Sequence, residues 1–315
     1  MKDIKFYDFN FNLLRILPQY AFNLNCGYIS ANATKEFNGA GSFEIDFIDE
    51  ETKQIVKSNP RNIFIEWNGF FGILTGYLFD TKCKITGLSL NSLLHRIVIP
   101  QTATQLSGNI EQLARNAISV NASWLTLGTL SGYTNQVQYS TDTYKTADVY
   151  IEELLALDNA GYEISADIAN MHFVFKVLPS SETGLILSTN LNTAYDFSEN
   201  YDNKSKAVGG WYQRATNNDS VWTYITTDNT ASGINKIDTV LSATTEAEAL
   251  QELQQLKEQS DVDLKTRDIQ YGVDYKLGDI VRVQNGERAV KKRIIGINIT
   301  QENGYTENPI LSEVI

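Results

Sequence analysis

Cysteine, histidine, methionine and proline are all scarce: two, two, two and five in 315 residues. Each scarcity closes off a class of function. Cys26 and Cys83 stand outside any Cys-x-x-Cys or Cys/His cluster, so zinc, iron–sulfur and haem centres have no ligand set, and no metal or other cofactor is expected. In a chain made in a reducing compartment both are expected to be buried thiols rather than a bridge. His95 lies in the apolar run LLHRI and His172 beside Phe173, so a structural role is expected for both and no catalytic residue is assigned. Walker loops, GxGxxG before a helix, HExxH and GxSxG are all missing. No apolar run reaches the length of a membrane span. The opening MKDIKFYDFN has no long apolar core before a small-residue cleavage site, so Sec-type export is not expected and cytoplasmic synthesis is. Positive charge is short as well. With 26 basic against 38 acidic side chains the net charge is −12, which disfavours a duplex-binding surface.

What the chain does have is aromatic and apolar material, with 14 Phe, 16 Tyr, 4 Trp and 42% hydrophobic residues, enough to exclude disorder and to build about two domains without staples. Alternation with period two dominates. Ile4–Tyr7, Ile16–Leu17 and Gly27–Ala31 read as short strands. In 36–47, EFNGAGSFEIDF, a Gly-rich turn precedes Phe43, Ile45 and Phe47 alternating with Glu44 and Asp46, a half-buried strand that Gly41 lets enter tightly. Asn68-Gly69 between 62–67 and 70–79 marks a type I′ hairpin. A further strand is expected over 82–88, and 90–99 reads as a short helix or strand ending at Pro100.

Past Pro100 the period changes. Ile110, Leu113, Ala114 and Ala117 share a helix face, as do Ile151, Leu154, Leu155 and Leu157 over 147–159, with Gly161 as the expected C-terminal stop. Strands are expected at 162–165 and 171–178. The longest helix signal is 245–259, opened by Thr245 and carrying Leu250, Leu253 and Leu256. The end returns to strands at 261–271, 280–283, 291–299 and 310–315. Gly278 and Asp279 suit a turn into Ile280, Val281 and Val283. The expected class is β-rich α+β, with domains at 1–100, 101–161 and 162–315 and discontinuous segments allowed. Between 193 and 228, Tyr195, Trp211, Tyr212 and Trp222 stand among Asn, Asp, Ser and Thr. Such a stretch serves either an interface or a glycan site using aromatics and carboxylates.

Four segments together resemble one family. NGAGSFEIDF (38–47) resembles the GSFE-type strand of phage tail hub proteins, the amino-terminal structural part of tail-associated lysins, and LLHRI (93–97) is similar to the leucine–arginine element that follows it. YDFSENYDNKSKAVGG (195–210) looks like the acidic-aromatic stretch of that family. YGVDYKLGDIVRV (271–283) resembles its most specific signature, carried here by Asp274, Tyr275, Leu277, Gly278 and Asp279. The resemblance implies tube-like β-barrel domains with small α+β insert domains, assembled as a homotrimeric baseplate or tail-tip hub. A distal tail or tail tube protein would lie above and a fibre, spike or lysin below, in a virion assembled in the bacterial cytoplasm. The lumen of such a hub passes phage DNA without binding it specifically, a task suited to an acidic wall. No peptidase or muramidase segment follows Ile315, so lytic activity is not implied. The alternative reading remains a glycan-binding or glycan-cleaving tail component, and a third is an assembly factor absent from the mature particle.

Overall fold

The computed structural model describes residues 3–20, 26–60, 62–80, 83–101, 105–141, 143–200, 207–215, 220–227, 236, 238–246, 249–250, 252–253, 261–285, 288–302 and 304–314. The chain forms two compact units, and it passes between them more than once. The first comprises Met1–Leu185, Asp268–Ile280 and Ile294–Ile310, and the second Ile186–Arg267, Val281–Arg293 and Leu311–Ile315.

In the first unit the period-two segments become β1 (Ile4–Asp8), β2 (Leu13–Leu17), β3 (Gly27–Glu36), β4 (Ser42–Ile48), β5 (Ile63–Trp67), β6 (Phe70–Phe79) and β7 (Cys83–Ser89). They lie in the order β3-β4-β7-β6-β5-β1-β2 with every pair antiparallel. The β5–β6 turn is the expected hairpin, with Asn68 at φ 49° and Gly69 at φ 73°. The two ends of the row meet. Tyr20 N donates to Tyr28 O at 2.7 Å and Tyr28 N to Pro18 O at 2.9 Å, so the segment after β2 runs beside β3 and the row closes on itself. Outside β3, the Ile294–Gln301 end of a long strand pairs in the register Gly296↔Glu36 to Gln301↔Ala31. Phe43, Ile45 and Phe47 are buried as their alternation requires, with Tyr28, Trp67 and Ile85 also in the core.

Between β4 and β5 lies α1 (Glu50–Ser58), which periodicity did not mark. Asp49 caps it, accepting from Thr52 N at 2.8 Å, and only Thr52 and Val56 are buried on its inner face. The segment at 90–99 resolves into a 3-10 turn over Leu90–Arg96 and a two-residue strand, Val98–Ile99. Both expected shorter helices are present as α2 (Ile110–Asn121) and α3 (Ala147–Ala156). They pack on a three-stranded sheet whose middle strand, His172–Leu178, pairs with Leu125–Leu127 on one side and Gly161–Asp167 on the other. One buried cluster joins this layer to Tyr7, Phe64 and Ile73 of β1, β5 and β6. Gly161 is not the helix stop expected of it. Asn159 takes the left-handed conformation at φ 51°, and Gly161 opens the next strand where a Cβ would strike the Phe37 carbonyl.

In the second unit Ala194–Asn200 pairs antiparallel with Asp261–Thr266, while Gly209–Ala215 lies between Ser220–Thr226 and Asp238–Val240. Its core holds Ala207, Tyr212, Leu241, Ala243, Ala249 and Leu253. The helix expected over 245–259 is helical at Glu246, Ala249, Leu250, Glu252 and Leu253, and the rest of it lies outside the described residues. The strand expected over 261–271 stops at Thr266, because the chain then turns at Asp268, φ 58°.

Candidate functional site

Of the four motif segments singled out in the sequence, 38–47, 93–97 and residues 271–280 of the last lie in the first unit, and 195–210 in the second. Gly41 does not act through a positive φ. It passes so close to β3 that a Cβ would collide with the Thr34 carbonyl, and its own carbonyl accepts from Ser89 N at 2.7 Å. Two residues on, the Phe43 ring packs edge-on to Phe70 at 5.9 Å and fills space left open by Gly72 and Gly87, where Cβ atoms would overlap it. Bulk at 43 and its absence at 72 and 87 are one packing decision.

The signature segment 271–279 is a folded loop rather than a strand. Gly272 and Gly278 have φ of 82° and 89°. Asp274 accepts from Gln270 N at 2.7 Å and Asp279 from Lys276 N at 2.8 Å, so each carboxylate closes a turn of the backbone. Tyr275 is buried and donates to the Glu307 carbonyl at 3.1 Å, and Leu277 is buried beside it. Gly278 N donates to Ile294 O, while its carbonyl accepts from Ser180 Oγ at 3.0 Å. A side chain at 278 would press on the Phe37 ring and the Pro179 carbonyl. These groups spend their hydrogen bonds on the backbone. Beside them lies a cleft of about 630 Å³, lined by Lys35, Glu163 and Tyr271 among others. Burial, and then the Glu163 carboxylate, push the Tyr271 hydroxyl above its usual range, so it stays protonated.

The aromatics at 195–222 do not share one surface. Trp211 and Trp222 are 44% and 51% exposed and lie on the same face as Tyr224, since Trp211 is paired with Tyr224 and Gln213 with Trp222. Tyr212 points to the other face, 1% exposed in the unit's core, and is withdrawn from any surface role. Tyr195 belongs to the other sheet, under Lys265 and Arg267.

Both cysteines are free and half-buried. His95 is exposed and lies 2.9 Å from Asp148 at the start of α3, and His172 Nδ1 lies 3.2 Å from the Asn170 carbonyl. Among the described residues no group of three or more His, Cys, Asp or Glu gathers as a metal site, and no helix is long and apolar enough to cross a membrane.

Several organising residues carried no sequence motif. Asn91 is buried in the 3-10 turn, donates to the carbonyls of Gly39 at 2.7 Å and Tyr162 at 3.2 Å, and accepts from Ile164 N at 2.7 Å. Glu111 is buried at the start of α2 and accepts from the N–H groups of Ser131, Gly132 and Tyr133. An Asn after a Leu-Ser-Leu strand end, and a Glu in a first helical turn, are too common to be read locally.

The whole course of the chain is shared with solved structures. A 43 kDa tail protein of prophage MuSo2 from Shewanella oneidensis superposes with a TM-score of 0.61 at 11% identity, covering 99% of this chain and 98% of that one. The chain has the fold of phage tail proteins. A tail protein from Neisseria meningitidis MC58 gives a TM-score of 0.63 at 12% identity over 99% and 96% of the two chains. Prophage tail protein gp18 from Listeria monocytogenes EGD-e gives 0.58 at 16% over 99% and 94%. No family model and no curated protein matches the sequence. The tail-protein fold is therefore recognisable here through architecture rather than through sequence identity.

Proposed function

We propose that the chain is a structural subunit of the tail of a phage, prophage or phage-tail-like particle, assembled in the bacterial host and placed at the tail tip or baseplate as its hub. The observation that carries this reading is the match over 94–98% of three tail proteins, with both units included. The closed strand row of the first unit supports a tube-like barrel. Three chains with two barrels each would set six around an axis, matching a hexameric tail tube or distal tail ring above and a trimeric fibre, spike or lysin below. Its mechanism would be symmetry adaptation and the opening of the channel on infection, with the net charge of −12 keeping DNA from adhering to the wall. No group transfer is assigned to it, and the signature residues 274–279 serve as architecture. Light scattering on the purified protein, alone and with its neighbouring tail proteins, tests the reading. About three times the 35.3 kDa chain mass supports it. A monomer that also ignores those neighbours overturns it.

One observation favours a second reading, a glycan-binding tail component: Trp211, Trp222 and Tyr224 present their rings on one exposed sheet face beside Asp238, which accepts from Tyr224 OH at 2.9 Å. A saccharide that quenches Trp fluorescence in the wild type and not in Trp211→Ala would support it.

A further inference from the structure

Seven non-glycine residues among those described have positive φ, and five of them are Asn or Asp, the types that tolerate it. The other two are Phe11, φ 64°, and Met171, φ 55°. Both line the same cleft of the first unit, a space of about 490 Å³ walled by Phe9, Phe11, Trp124, Met171 and Phe173. Bulky side chains in this conformation are strained and persist only where the surroundings over-determine them.

The surroundings do so twice, by the same device. Asp8 accepts from Asn10 N at 2.9 Å, Asn12 N at 2.8 Å and Asn12 Nδ2 at 2.8 Å, closing the loop that holds Phe11. Asp167 accepts from Asn170 N at 3.1 Å and Asn170 Nδ2 at 2.8 Å, closing the loop that holds Met171. Neither strained residue is fully buried, since Phe11 is half-buried against the core cluster and Met171 is exposed. Met171 is 65% exposed and Trp124 46%. Phe173 forms the floor, touched by the rings of Phe9, Phe11 and Trp124 at centroid distances of 6.2, 4.9 and 6.2 Å.

At the rim stands Arg96. Its guanidinium lies 5.8 Å from the centre of the Phe9 ring and makes no ion pair among the described residues, in a chain that carries twelve excess negative charges. A cation held over an aromatic wall and left without a carboxylate complements an anion beside an apolar group.

We infer that this cleft binds a segment of a partner polypeptide in which a large apolar or aromatic side chain stands next to a carboxylate. The ring enters between Trp124, Met171 and Phe173, and the carboxylate meets Arg96. The two closed loops fix the backbone at Phe11 and Met171 before binding, so little ordering of these two residues remains to be done when the segment arrives. The inference rests on the first unit alone and does not depend on the tail assignment.

N-acetyl-tryptophan and its neutral amide, which differ only in the carboxylate, are the probes. Both would be titrated into the full chain while the Trp124 indole and Arg96 Nε signals are followed by NMR. The expected result is saturable shifts at both residues with the acid, at least tenfold weaker binding of the amide, and loss of that difference in Arg96→Gln. Because Arg96 is exposed, the variant should keep the wild-type melting temperature. Equal binding of acid and amide would overturn the inference in favour of a purely apolar occupant. Absence of shifts with either probe would overturn it in favour of a packing surface with no ligand.

Discussion

At Gly27 the backbone sits at φ 121°, and an added Cβ would lie 2.6 Å from the Pro18 carbonyl oxygen and 2.9 Å from Tyr20 N. This is where the strand row of the first unit closes, so the missing side chain is what lets 18–20 approach β3. Gly27→Ala is expected to cost about 1–3 kcal/mol, seen as a lower melting temperature together with faster amide exchange at Tyr20 and Tyr28. Loss of stability without faster exchange at those two amides would place the strain elsewhere. Phe43 shows the converse, a ring that fills what two glycines leave empty. Phe43→Ala should cost roughly 3–5 kcal/mol by calorimetry, because Gly72 and Gly87 offer no side chain to collapse into the hole. The ring at 43 was legible from alternation. Its glycine sockets were not, since they lie on strands brought together only by the sheet order.

At the scale of elements, α1 depends on one carboxylate. Asp49 caps the helix, and Arg15 of β2 reaches it with Nη2 at 3.0 Å and Nε at 3.2 Å. Burial pushes the Asp49 carboxyl up, but hydrogen bonds from Thr52 and Arg15 outweigh it and hold the group below its ordinary 3.8. An acid whose folded value is depressed contributes stability that is complete above the unfolded value and lost as pH falls through the folded one. Asp49→Ala should therefore destabilise by about 1–2 kcal/mol at neutral pH for the lost cap. The gap to wild type should narrow in strong acid, and denaturant titrations across that range would check it. A gap independent of pH would mean that the charge contributes nothing. The start and stop signals of α1 were present in the sequence, with Asp49 before Glu50 and Glu51 and Lys57 in the last turn. What hid the helix was its narrow inner face, as two buried residues in nine leave no stripe for periodicity to find. The strands stood out because their alternation repeats over four or more positions. The aromatic cleft did not, because its walls come from four stretches of chain distant in sequence.

For the whole molecule the dominant quantity is charge. Each chain carries −12, so association of like chains works against mutual repulsion that salt screens. If the hub reading holds, raising the salt from about 0.05 to about 0.5 M should strengthen self-association, as measured by sedimentation equilibrium. Weakening instead would point to interfaces built on opposite charges. Fold and identity part company at this scale. At 11–16% identity the three tail proteins share few residues with this chain at matched positions, yet the architecture follows through nearly its full length. What such distant chains must share is the alternation of buried and exposed positions and the few turns that set strand order, and many residue types satisfy either demand.

The strand row closed at Tyr28 is unequal along its circumference. The β6–β7 border carries seven registered residue pairs, whereas among the described residues the closing border shows two backbone hydrogen bonds, between 18–20 and Tyr28. Under a pull across the row, load divides over many bonds at one border and, in the described part of the other, over two. Among the described residues this stretch beside Gly27 is the seam of the cylinder, where a force across the row meets the fewest bonds.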